Sequence, residues 1–277
     1  MHEGKNFIGG FMNNKSAKSI IRKYFVLMTI FFLLMMSLIV LEIIFFDKFW
    51  TYLVLVIFLG FMLLVFTIVL ETKLYIPVLC KDMNPEKFGL IINSKIGSIY
   101  RSKLFRVFYY YYSGDYQMAV NMCTTVIKGK HSLENKYNYF LILSRVYFDI
   151  GDNEKLKTVC EKFRNYEKDS TKKIKDNTIK LFESYLKEDF DECEKILEDS
   201  LSKQTSKTSN IVKMNQVFYT AAIKYYSGDK DTAKKLFEKV ICEAPKLSYA
   251  KLSEKYIIAI DSSDKSVLSF PEILPEL

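Results

Sequence analysis

Histidine is nearly missing from this chain: only His2 and His131 occur in 277 residues, far apart. That scarcity excludes histidine-based metal spacing and leaves almost nothing from which to build a Ser-His or Cys-His nucleophile. Cysteine is sparse as well. Cys80, Cys123, Cys160, Cys193 and Cys242 form no C-x-x-C pair, and an odd number of scattered thiols fits a reducing compartment in which their work is packing. With 10 Gly and 5 Pro the chain is neither collagen-like nor a Pro/Gly-rich disordered polymer. A strong excess of one charge is lacking too: 40 Lys and Arg stand against 32 Asp and Glu, and beyond residue 70 the balance is 34 to 29. Interspersed charges do not make the clustered basic face that nucleic acid requires, so no nucleic-acid partner is expected.

Catalytic signatures are missing in the same way. There is no G-x-x-x-x-G-K-[ST], no G-x-G-x-x-G after a strand, no H-E-x-x-H and no G-x-S-x-G. The acidic run Glu188, Asp189, Asp191, Glu192 and Glu194 offers carboxylates in a row, but negative charge at a helix start is favourable for helical reasons alone. The expectation is no enzyme, with no catalytic residue, cofactor or metal.

What is present is strongly segregated. Residues 24–46 carry one charge, Glu42, in 23 positions, and residues 49–70 carry none in 22. As helices these runs would be about 34 and 33 Å long, enough to cross a hydrocarbon core of about 30 Å. Only Asp47 and Lys48 separate them, which predicts a transmembrane hairpin with Ser37 and Gly60 at similar depth and with Trp50 and Tyr52 near the turn. Glu42, five residues from the turn, is expected to snorkel to the interface. Lys15, Lys18, Arg22 and Lys23 before the first run, and Lys73, Lys81 and Lys87 after the second, predict both termini on the cytoplasmic side of a plasma (inner) membrane.

Past Asn84 and Pro85, which cap and start a short helix, helix-period apolar segments alternate with polar breaks, and no stretch alternates as a strand does. The breaks recur. Tyr112-Ser113-Gly114-Asp115-Tyr116, Asp149-Ile150-Gly151-Asp152-Asn153, Lys187-Glu188-Asp189-Phe190 and Tyr226-Ser227-Gly228-Asp229-Lys230 place Asp115, Asp152, Asp189 and Asp229 at intervals of 37, 37 and 40 residues. A period in this range indicates a solenoid. Glycine can take the left-handed conformation that ends one helix, and the aspartate can cap the next. Four residues after each Asp come Ala119, Leu156, Cys193 and Ala233, and eight after come Cys123, Cys160, Leu197 and Phe237, so both sets fall on one helix face.

These residues resemble the tetratricopeptide repeat. The fourth unit is the nearest, with Tyr225-Tyr226-Ser227-Gly228-Asp229, Ala233, Phe237 and Pro245. The second matches through Phe140, Leu143, Tyr147 and Gly151, the first through Tyr110, Gly114 and Ala119, and the third is degenerate at Glu188. The resemblance covers about residues 98–261 and implies a superhelix whose concave face is lined by the first helix of each pair. It implies three rows of lining positions: Arg101, Asn138, Lys175 and Asn215; Phe108, Arg145, Phe182 and Ala222; and Tyr111, Phe148, Tyr185 and Tyr225. The alternative for the aromatic row is packing between neighbouring repeats.

The expected organisation is an all-α chain: a basic tail over 1–23, the transmembrane hairpin over 24–70, a membrane-proximal linker helix over 71–97, a TPR-like α-solenoid of about four helix pairs over 98–261, with a last helix over 246–260, and a flexible tail over 262–277. The expected function is a membrane-anchored cytoplasmic scaffold of bacterial type that recruits a protein or peptide partner. The rival is an accessory subunit of a transporter or sensor complex working through its hairpin.

Overall fold

A computed structural model describes residues 19, 22, 26, 29–37, 40, 56–60, 76–93, 103–129, 133–168, 177–206 and 208–268. Among the described residues the regular structure is helical and no strand occurs. The chain divides into two units, Met1–Arg101 and Ser102–Leu277.

In the first unit, α1 (Ile76–Cys80) turns through Met83, whose φ is +47°, into α2 (Pro85–Ile92). The start of α2 follows from two residues. Pro85 needs no N–H in the first turn, and the Asn84 side chain accepts from the Lys87 N–H at 3.0 Å. The transmembrane expectation is corrected here. Among the described residues no helix is long and apolar enough to cross a membrane. A multi-pass inner-membrane protein with both termini cytoplasmic is therefore not supported. The Asp47–Lys48 turn, Glu42, Trp50 and Tyr52 lie outside the described residues. Ser37 is within them, and its hydroxyl donates to the Leu34 carbonyl at 2.7 Å, a bond inside its own helix.

The second unit is a succession of helices: α3 (Lys103–Ser113), α4 (Tyr116–Lys128), α5 (Leu133–Asp149), α6 (Asn153–Lys168), α7 (Asn177–Leu186), α8 (Phe190–Ser202), α9 (Asn210–Ser227), α10 (Lys230–Glu243) and α11 (Ser248–Ser262). Four corners join α3 to α4, α5 to α6, α7 to α8 and α9 to α10, and all use the same local chemistry. Gly114, Gly151 and Gly228 have φ of +86°, +73° and +97°, and Glu188 holds the equivalent place at +58°. The N–H groups of these four residues donate to the carbonyls of Tyr111, Phe148, Tyr225 and Tyr185 respectively. The next residue caps the following helix: Asp115, Asp152, Asp189 and Asp229 accept from the N–H groups of Met118, Lys155, Glu192 and Thr232 at 3.0 to 3.2 Å.

Packing follows chain order. Each corner pair lies side by side, α4 packs on α5, α6 on α7, α8 on α9 and α10 on α11, while α3 also touches α5 and α5 touches α7. Ala119, Leu156, Cys193 and Ala233 are fully buried, as are Cys123 and Phe237, so the second helix of each pair seats itself through the two positions expected of it. Lys136, in the first turn of α5, is buried against the end of α4, where its ammonium donates to the Ile127 carbonyl at 2.6 Å, and it lies over the Tyr166 ring at 4.8 Å; a cation is favourable at a helix C-terminus. After Pro245 the chain does not continue outward. α11 packs on α10 and also returns to α3, so the last helix meets the first of the unit. Beyond it, Lys265–Leu268 form a 3-10 turn against α11, and residues 269–277 lie outside the described residues.

Candidate functional site

Residues of α5, α9 and α11 converge on Tyr111 of α3, which stands three residues before the first corner. Its carbonyl accepts from the Gly114 N–H and from the Ser248 hydroxyl, each at 3.1 Å. Its own hydroxyl reaches three helices: it donates to Asp149 Oδ2 on α5 at 3.0 Å and lies 3.1 Å from the Tyr219 hydroxyl on α9 and 2.6 Å from the Tyr249 hydroxyl on α11. Tyr219 and Tyr249 are themselves 3.2 Å apart. A phenol has one proton to give, so with Tyr111 donating to Asp149 the other two hydroxyls are left to donate toward it and each other.

Rings close the space around these hydroxyls. Tyr249 meets Tyr111 and Tyr112 edge-on at 6.0 and 6.1 Å and stacks on Phe218 at 4.4 Å. Phe148 stacks on Phe182 at 4.9 Å and meets Tyr185 at 4.9 Å and Tyr219 at 5.5 Å. Tyr225 meets Tyr256 at 5.1 Å. The row implied by the repeat resemblance is therefore corrected. Tyr111, Phe148, Phe182, Tyr185, Asn215 and Tyr225 are all buried and offer no open surface to a partner. The reason is tertiary: successive first helices bring their rings together, and α11 fills the end of the inner face. The alternative reading of the aromatics, packing between repeats, is the one observed.

Other members of the predicted set behave differently. Arg101 and Lys175 lie outside the described residues. Phe108 is half-buried, its ring 6.3 Å from that of Tyr112. Asn138 and Arg145 are half-buried as well, and Leu141 between them shares both their helix face and their partial exposure. Arg145 lies among the phenols of Tyr219, Tyr112, Tyr249 and Tyr111, and its Nε has no hydrogen-bond partner. Asn215 donates to the Tyr112 hydroxyl at 3.0 Å while its Oδ1 has no partner.

Asp149, Tyr219 and Tyr249 were not singled out from the sequence. Asp149 lay in plain view beside the second corner and one turn from Arg145, but nothing local says that its carboxylate turns inward. Burial pushes its carboxyl well above the usual carboxylate range, against the opposing pull of the Tyr111 hydroxyl and the Arg145 guanidinium. Burial likewise raises Tyr111, Tyr116 and Tyr249, so these phenols stay neutral.

A second concavity lies between α6 and α7, an open groove of about 840 Å³ lined by Asn153, Lys157, Cys160, Arg164, Glu183 and Lys187 among others. Arg164 spans it: Nε and Nη2 donate to the two carboxylate oxygens of Glu183, each at 2.8 Å, and Nη1 donates to Glu167 at 2.7 Å. Such a fork holds two helices in register. Cys160 at the groove has its thiol pushed up to about 12 by burial, which keeps it protonated and unreactive. Among the described residues no three His, Cys, Asp or Glu side chains gather to hold a metal ion. No family model, no curated protein and no solved structure matches the chain.

Proposed function

We propose that this chain is a TPR-like helical scaffold that holds a protein or peptide segment, and that the contact is made along the half-buried stripe of Phe108, Asn138, Leu141 and Arg145. The observation that carries the reading is this stripe. Three of its members stand three and four residues apart on one face of α5, each keeps part of its surface in solvent, and Phe108 is half-buried on α3, a helix that touches α5. A ring, an aliphatic side chain and an amide supply apolar area and hydrogen bonding to a peptide backbone, while the Arg145 guanidinium lies inward among the phenols of Tyr111, Tyr112, Tyr219 and Tyr249. The repeated corners support the TPR-like part of the reading, since each joins a helix pair through the same local chemistry.

The test is site-resolved crosslinking in the full chain. A photoreactive phenylalanine at position 108 is expected to capture one discrete protein in cells, and Leu141→Glu combined with Asn138→Glu should reduce that capture at least tenfold. A photoreactive residue at Lys235, exposed on α10, serves as the contrast. Equal capture from position 235, or capture indifferent to the α5 changes, overturns the reading.

A further inference from the structure

The inner face is shut at one end by the chain's own last helix, and the closure differs from the rest of the interior. Within each corner pair the helices meet through Ala119, Leu156, Phe237 and similar buried apolar groups. Where α11 meets α3, edge-on packing of the Tyr249 ring on Tyr111 and Tyr112 is joined by hydroxyl contacts, Tyr249 to Tyr111 and Ser248 to the Tyr111 carbonyl, with the Asp149 carboxyl bonded to the same Tyr111 phenol. The polar demand of this cluster is not fully met, because Asp149 Oδ1, Asn215 Oδ1 and Arg145 Nε have no hydrogen-bond partner. A buried carboxylate with one oxygen unsatisfied is costly in its charged form.

The groups acting on Asp149 come from every side. They are Tyr111 of α3, Tyr116 of α4, Arg145 of its own helix, Tyr219 of α9, and Tyr249 and Tyr256 of α11. Toward α7 the adjoining Phe148 meets Phe182 and Tyr185. Arg145 is the only cation of the set, and the phenols remain neutral. The contact of α11 with α10 is of another kind, with Tyr256 stacked on Phe237 at 4.6 Å, and nothing in it depends on Asp149 for a hydrogen bond.

We propose that the seam between α3 and α11 is a latch: with Asp149 uncharged, Tyr111 and Tyr249 hold the first and last helices of the unit together, and loss of the Asp149 proton parts α11 from α3 and uncovers the inner face. The consequence for binding rests on the partner reading above, but the latch itself is read without any partner.

The experiment is a spin-label distance measurement on the full chain carrying Cys80→Ser and Cys242→Ser, leaving the three buried cysteines in place, with labels on Lys103→Cys of α3 and Lys251→Cys of α11, both exposed positions. The expected result is one short distance at pH 5 and a second, longer one whose population grows at least tenfold by pH 9. Asp149→Asn, which keeps the acceptor for Tyr111 without the charge, should hold the short distance at every pH. Tyr249→Phe, which keeps the ring and drops the hydroxyl, should move the midpoint to lower pH. One unchanging distance in the native seam overturns the latch, as does an unaltered pH response in the Asn variant or an unmoved midpoint in the Phe variant. A latch that opens while position 108 captures nothing refutes the partner reading alone.

Discussion

Asp149 concentrates the energetic conflict of the molecule in one side chain. It accepts a hydrogen bond from Tyr111 and lies near Arg145, yet it sits in the interior with Oδ1 unpartnered, and burial dominates by favouring its neutral form. The linkage has a definite sign. A carboxyl whose folded-state pKa is raised stabilises the fold fully below its ordinary value near 4, and that contribution is lost as pH rises through the folded value. Thermal unfolding followed from pH 4 to 8 should therefore show stability falling with pH, and Asp149→Asn should flatten that fall and raise the melting temperature at pH 8 by about 2–4 °C, the response expected for about 1 kcal/mol in a chain of this size. Identical pH slopes for the two proteins would remove Asp149 from the account. Its neighbour Arg145 was legible from the repeat register, whereas Asp149 was not, because its hydrogen-bond partner Tyr111 is 38 residues away in sequence.

At the scale of the element, the corners show how far local chemistry reaches. A glycine in the left-handed region followed by a capping aspartate needs only four or five residues to act, so three of the corners carry the full signal in sequence and the fourth is placed by Asp189 and the spacing, and the structure has all four where they were expected. The third is the informative exception. Glu188 takes φ +58° without being glycine, and its N–H still donates to the Tyr185 carbonyl at 2.9 Å, so the corner is held by its surroundings at the expense of local backbone strain. Glu188→Gly should stabilise the chain by about 1 kcal/mol, the cost of a side chain in that conformation, read as a higher urea midpoint with an unchanged slope. A lower midpoint would mean that the glutamate side chain contributes more than the backbone loses. The apolar runs of residues 24–46 and 49–70 teach the opposite lesson. Composition suggested spans, whereas among the described residues no helix is long and apolar enough to cross a membrane.

For the whole molecule the deciding event is the return of α11 to α3, with contact between residues as far apart as 111 and 249. If this contact couples the ends, a double-mutant cycle of Tyr111→Phe and Tyr249→Phe should give an interaction energy of about 1 kcal/mol from equilibrium unfolding, whereas additive effects would mean that the two hydroxyls act separately. The closure also explains why the inner face could not be read residue by residue. Helical period and the 37-residue spacing assign Tyr111, Phe148 and Tyr185 to one face of their helices, and they do so correctly, but a face is not yet a surface. By itself the sequence determined the helices, their corners and the buried positions of each second helix, because those depend on residues a few places apart. Only the tertiary structure decided that the aromatic row is interior, that Asp149 points into it and that Phe108, Asn138 and Arg145 stay partly open, because these outcomes depend on how many helix pairs stack before the last one meets the first.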